Sequence, residues 1–184
     1  MDSLQNHFLV AMPGMEDNFF ARSVVYLCEH NAKGAMGITL TSPLDMDLNT
    51  LLKRMDFDNV SDSLIGKPVL AGGPVHTDRG FVLHSPQDGL HSTITLTPEL
   101  MLTTSLDILH RLGTDQQPDH FLIALGYASW EAGQLEKELL ENSWLTLPAS
   151  SRQIFDIAAE HKWSTIIREF GIDIWHLSSQ AGHA

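Results

Sequence analysis

A thiol, a carboxylate and an imidazole stand side by side at Cys28, Glu29 and His30. An imidazole that removes the proton of a nearby thiol creates a nucleophile, the chemistry of thiol hydrolases and redox centres. In a regular strand alternate residues share a face, which would place Cys28 beside His30 and turn Glu29 away. Such a pair also needs an orienting third group, and the chain offers none at a recognisable spacing. The competing reading makes Cys28 a small buried hydrophobe in a core strand.

Gly72-Gly73-Pro74, followed by His76, Asp78 and Arg79, is the best anion-binding candidate. Paired glycines let backbone amides converge, and Arg79 can pair with a phosphate or carboxylate. The Gly-Lys-Ser/Thr of a phosphate loop and the three spaced glycines of a dinucleotide fold are both missing. The alternative is a tight turn between strands, with Arg79 in a structural ion pair. A second cluster is Tyr127, Trp130, Gln134 and Glu136. Trp130 and Gln134 are four apart and share a face of a predicted helix, whose N-terminus after a strand is a frequent ligand position. A tryptophan that packs helix on sheet and donates through its ring N–H fits the same pattern. His30, His76 and His84, with Glu29 or Asp78, lack the tight ligand spacing of a zinc site. Ser23, Ser85 and Ser129 do not sit in a Gly-x-Ser-x-Gly elbow. No catalytic residue, metal site or cofactor is therefore assigned.

The elements that must carry these residues read as a mixture of hairpins and helices. His7 to Met12 is a first strand, stopped by Pro13-Gly14. Ser23 to Cys28 is a strand rich in Val and Tyr, whose lack of alternation predicts burial on both faces. Asn31 to Gly34 turns it into a strand over Ala35 to Thr41. Asn49 to Met55 reads as a short helix capped by Asp47 or Asn49. Short strands follow at Pro68 to Ala71, Arg79 to His84 and Ser92 to Leu96. Thr97-Pro98-Glu99 carries the marks of a helix start, with the helix running to about Arg111 and ending at Gly113. His120 to Tyr127 is an inner strand, and Ser129 opens a helix through Leu140. Trp144 to Leu147 is a short apolar stretch. Ala158 to Phe170 forms the last helix, with Gly171 past its end. Hairpins among helices of one to four turns predict an α+β fold with a mixed, mainly antiparallel sheet. One domain is expected over residues 1–184, with 176–184 a frayed tail.

Bulk properties narrow the functions. The chain has 184 residues, 43 % of them apolar, enough to bury a real core. Its net charge is -12, and its 11 Lys and Arg are scattered. Phosphate backbones are bound through clustered cations, so direct nucleic-acid binding is disfavoured, as is an anionic membrane surface. The single Cys28 allows no internal disulfide. No signal peptide and no apolar run of ~20 residues is visible, which makes the cytoplasm the expected location.

Several stretches act together as a signature: Asn6 to Pro13, Arg22 to His30, Gly34-Ala35-Met36-Gly37-Ile38, Gly72-Gly73-Pro74-Val75, Asp78 to His84, Gly126 to Trp130 and Gly133 to Glu136. This pattern resembles the AlgH/YqgE family of uncharacterised bacterial proteins, the UPF0301 family, from Asn6 to about Ile174. The resemblance implies a small cytosolic α+β domain and supplies no catalytic set. One branch of the family is labelled a regulator of alginate synthesis transcription. No helix-turn-helix is visible here, so any regulation is expected to be indirect. The family usually has Asn where Thr41 stands and Gly where Ser129 stands, before a turn. The expected function is a binding or adaptor protein that recognises a protein partner or a small anion. Its working surface would combine Gly72, Gly73, Arg79, Tyr127, Trp130 and Gln134. The alternatives are a small hydrolase or thiol enzyme built on Cys28 with His30 or His84, and a DNA-binding regulator.

Overall fold

A computed structural model describes residues 2–171. The tail read at 176–184 lies outside the described residues. The chain runs through strands β1 (His7–Ala11), β2 (Val24–Asn31), β3 (Gly34–Thr39) and β4 (Pro43–Asp47), helix α1 (Leu48–Arg54), and strands β5 (Pro68–Ala71), β6 (Val75–His84), β7 (Thr93–Thr97) and β8 (Leu100–Thr103). Helix α2 (Asp107–Arg111), β9 (Phe121–Glu131), α3 (Gln134–Leu140), β10 (Trp144–Pro148), α4 (Ser151–Phe155) and α5 (Ala159–Glu169) complete it. The fold is α+β. Its strands join in one sheet of order β10-β1-β2-β3-β9-β6-β8-β7, with β5 on β9 and β4 on β5. The β5–β9 pair is parallel and the other described pairs are antiparallel.

Both faces of the sheet are covered. On one face Phe8, Tyr26, Ile38, Phe81 and Leu83 pack against Trp163, Ile166 and Ile167 of α5, spaced three and four apart along that helix. On the other, Leu9, Val25, Leu27 and Trp130 lie under Leu135 of α3. Further along that face, Val69, Val82 and Ile123 meet Leu51 and Leu52 of α1 and Ile108 and Leu109 of α2. Each fully buried side chain of this size contributes about 1.5–3 kcal/mol, which makes these three clusters the main support of the fold. Local chemistry fixes the helix ends. Asp47 accepts from the Thr50 amide at 2.8 Å and caps α1. The Trp163 ring N–H donates to the Ala11 carbonyl at 2.8 Å, tying α5 to β1.

Two predicted helices are corrected. Thr97-Pro98-Glu99 starts no helix. Thr97 pairs with Leu100, so Pro98-Glu99 is the two-residue turn of the β7–β8 hairpin. The Thr97 hydroxyl accepts from the Glu99 amide at 3.2 Å. That bond closes a turn as readily as it caps a helix, and the fixed φ of proline suits both settings. Burial of Leu100 and Leu102 against the core settles the choice. Likewise no helix opens at Ser129, because β9 continues to Glu131 by pairing Trp130 with Ala35 and Ser129 with Met36. The helix begins only at Gln134, after Gly133 at φ +80°. Ser129 therefore lies within a strand, and the turn expected there is absent. Thr41, at the other departure from the family pattern, accepts from the Val24 amide at 3.2 Å.

Strand β9 lies between β5 and β6. Its residues Ile123 to Leu125 pair with β5 along one edge and with β6 along the other. The link Gly72-Gly73-Pro74 must therefore pass from one edge of β9 to the other. It crosses at Gly126 and Tyr127, where a Cβ on Gly73 would stand 2.0 Å from the Tyr127 carbonyl carbon, and one on Gly72 2.3 Å from the Gly126 oxygen. Backbone rests on backbone at this point, and no side chain fits between.

Candidate functional site

The crossing shapes the anion-binding candidate. Beyond it Val75 pairs with Tyr127, but the next pair is Gly80 with Leu125, so His76 to Arg79 stand opposite the single Gly126. These four residues form an exposed protrusion on the sheet. His76 adopts φ +44° and its ring stacks on Tyr127 with centroids 5.9 Å apart. The Arg79 guanidinium lies over the Phe81 ring at 5.6 Å, and Phe81 meets Tyr127 edge-on at 5.6 Å. Gly72, Gly73, Arg79 and Tyr127 are thus gathered in one corner. Arg79 makes no ion pair among the described residues. The Gly72 amide donates to Leu125 and its carbonyl accepts from Thr39, both at 2.8 Å. That amide is spent in the sheet, so charge in this corner comes from side chains.

Trp130 and Gln134 do not join this corner. Trp130 packs with Leu135 on the α3 face, whereas Tyr127 packs on the α5 face. The Trp130 ring is 4 % exposed, and its N–H donates to Glu138 at 3.2 Å. The Trp144 ring N–H donates to the same carboxylate at 3.0 Å, and the Gln134 amide donates to its second oxygen at 3.1 Å. Glu138 thus clasps two indoles and an amide, holding α3 to β9 and β10. The expected helix face shared by Trp130 and Gln134 does not exist, since one residue is in a strand and the other in a helix.

Cys28 and His30 are separated by a bulge. Leu27 pairs with Gly37 and Glu29 with Met36, leaving Cys28 as the extra residue. It points into the cluster with Tyr26 and Ile38, while His30, opposite Ala35, faces α3. The expectation that the two share a face is corrected, because one inserted residue reverses the alternation beyond it. Burial, reinforced by the Glu29 charge, pushes the Cys28 thiol up to about 12. Such a thiol is a poor nucleophile at neutral pH. The His30 ring accepts from the Leu4 amide at 2.8 Å through Nδ1, so Nε2 carries the proton and donates to Glu136 at 2.7 Å. That bond is the main cause holding the Glu136 carboxyl below its usual range. His30 therefore ties the N-terminal segment to α3. His84 is also fully engaged. Its Nδ1 donates to the Ser85 carbonyl at 2.8 Å, and its Nε2 accepts from Thr103 at 2.7 Å. Burial, above all, lowers its pKa.

One buried cation escaped the sequence reading. Lys162 is 1 % exposed, and its Nζ donates to the carbonyls of Gln153, Ile154 and Ile157 at 2.7–3.0 Å. Burial pushes its pKa down to about 8, with Asp156 opposing. The ammonium satisfies carbonyls at the end of α4, a position where a cation is favoured. A lysine on an 11-residue helix carries no sequence mark of this role. Among the described residues no group of three His, Cys, Asp or Glu is placed to hold a metal ion. No described helix is long and apolar enough to cross a membrane.

Fold and site together define a small α+β protein with a glycine-mediated strand crossing and an exposed arginine–aromatic corner beside it. The chain belongs to the AlgH-like family, whose model matches residues 8–175. It is 52 % identical over 186 residues to a UPF0301 protein of Shewanella woodyi, and 52 % identical over 187 residues to one of Shewanella oneidensis, with both chains covered in full in each case. The solution structure of the AlgH protein from Pseudomonas aeruginosa is similar with a TM-score of 0.80 and 43 % identity, covering 99 % of this chain and 96 % of that one. A crystal structure from Corynebacterium diphtheriae shares the fold, with a TM-score of 0.71, 21 % identity, and coverage of 92 % and 87 %.

Proposed function

We propose that this chain is a cytoplasmic binding or adaptor module that recognises an anionic group, on a protein partner or a small molecule, through Arg79 with His76 and Tyr127 beside it. The observation that carries this reading is Arg79 itself: an exposed guanidinium on the protruding segment, without an ion-pair partner among the described residues. An arginine held against an aromatic face is pre-organised for a carboxylate or phosphate and loses less freedom on binding. The thiol alternative finds no comparable support, since Cys28 and His30 point to opposite faces. With a net charge of -12, any regulatory effect is exerted through a protein partner rather than on DNA directly.

The test is a titration of the labelled protein with inorganic phosphate and with an acidic peptide, followed by amide NMR shifts. Shifts centred on His76, Arg79 and Tyr127 that disappear in Arg79→Ala support the assignment. Absence of shifts with both probes, or shifts unchanged in the variant, sinks it.

A further inference from the structure

A second concave site lies on the sheet face opposite the Arg79 corner. A cavity of about 240 Å³ opens between α1, α2, the middle of β6 and the end of β8. Leu51, Val82, Leu109 and Ile123 form an apolar floor belonging to the core cluster under the two helices. Met55 and Leu106 also line it, 39 % and 58 % exposed. The rim is polar and comes from the protrusion and the end of β8. Thr103 and Ser105 are spent on His84, Thr93, His91 and Asp107. Asp78 and Thr104 remain, and their side chains have no hydrogen-bond or ion-pair partner among the described residues. An apolar chamber with one free carboxylate and one free hydroxyl at its rim is complementary to a particular chemistry.

The geometry points to a binding site for a small primary amine with a compact apolar body, its ammonium on Asp78 and Thr104 and its body on the Leu51–Leu109 floor. An apolar cavity of about 150 Å³ accommodates benzene, so this space suits a phenyl ring with a two-carbon arm. Dry floor and charged rim divide the work as in other small-molecule sites, the apolar lining holding the body and the polar groups setting orientation. The acidic chain as a whole favours a cation over an anion here. The proposal is independent of the Arg79 reading, and Arg79→Ala leaves it untouched.

Phenethylamine and its neutral counterpart 2-phenylethanol, titrated into the full chain and followed by amide shifts, form the test. The amine shifts Val82, Thr104 and Leu109 and binds about fivefold more tightly than the alcohol, the scale of a partly exposed charge pair. Asp78→Asn, at an exposed position, removes that preference. Gly80→Val narrows the chamber and weakens binding of both, because a Cβ at Gly80, on the cavity wall, meets only a Leu125 methyl at 4.0 Å. No amine binding at millimolar concentration, equal affinity for the alcohol, or undiminished binding in folded Gly80→Val overturns the assignment. Asp78→Asn keeps the test decisive should Gly80→Val not fold.

Discussion

Replacing Gly73 with alanine adds one methyl group at the point where the chain crosses β9. The new Cβ would lie 2.0 Å from the Tyr127 carbonyl carbon, 2.1 Å from its oxygen and 2.3 Å from the Ala128 nitrogen. All three are backbone atoms of a central strand and cannot rotate away. Reaching an ordinary contact of 3.4 Å requires the crossing to retreat by about 1.4 Å (3.4 less 2.0). Gly73 does not adopt a positive φ, so the cost is steric rather than conformational. Overpacking costs about 1–3 kcal/mol. Retreat also strains the Thr39–Gly72 and Gly72–Leu125 hydrogen bonds, each worth about 1 kcal/mol. The sum is about 3–5 kcal/mol, which at a urea dependence of about 2–3 kcal/mol/M lowers the unfolding midpoint by roughly 1–2.5 M. Gly66→Ala is the control. Its φ is +81° but nothing lies within 4 Å of the added Cβ, so only about 1 kcal/mol is lost. If Gly73→Ala unfolds within ~0.3 M of the wild type at unchanged slope, the crossing does not need glycine and the account of the fold's centre is wrong.

Other outcomes follow from the buried polar groups. At pH 8 a thiol with a pKa of about 12 holds about one thiolate in 10,000, so native Cys28 reacts with a disulfide reagent far more slowly than in the urea-unfolded chain. Prompt native labelling would contradict this. The same shift makes the wild type lose stability relative to Cys28→Ala as pH rises: below 9.0 both states keep the proton, above it only the unfolded chain ionises, a loss of about 1.4 kcal/mol by pH 10. A flat difference between pH 7 and pH 10 would refute the burial argument. His30→Ala removes the acceptor of the Leu4 amide, and hydrogen exchange at Leu4 should accelerate at least tenfold while β1 stays protected, an amide bond of about 1.4 kcal/mol being a factor of ten. Unchanged exchange there would mean that the N-terminal segment is held by other contacts. Lys162→Met strands three buried carbonyls and should cost about 2–4 kcal/mol in urea unfolding. A neutral result would show that the burial penalty of the ammonium cancels its hydrogen bonds.

What the sequence revealed was what local rules decide. Ser23 to Cys28 was legible as a doubly buried strand, realised from Val24 onward, because both faces of the sheet are covered there. A cap at Asp47 or Asn49 was legible because the bond is local, and the structure places it at Asp47, whose partner is three residues away. Thr97-Pro98-Glu99 misled because a turn and a helix start use the same hydroxyl–amide bond, and only the packing of Leu100 and Leu102 distinguishes them. The bulge at Cys28 left no local mark, yet it reversed the face of His30. At the candidate site, the neighbourhood of Gly73, Arg79 and Tyr127 follows from β6 pairing with β9, about 50 residues further along the chain. Trp130 looked like a helix-start ligand because β9 is longer than its apolar run, its last residues being held by β3.

The placement of β9 between β5 and β6 also constrains how the chain reaches this state. Residues 68–84 supply both flanking strands and the glycine link, but residues 121–131 supply the strand that fills the gap. The earlier segments have no sheet partner for each other until the later one arrives, because β5 and β6 pair with β9 and not together. Loop closure over this separation precedes the contacts that reward it, which slows folding and concentrates it in one cooperative step. During synthesis β5 can pair with β4 and β6 with β8, but the edge that each turns toward β9 stays open until residues 121–131 are made. The centre of the sheet closes only once β9 has been made.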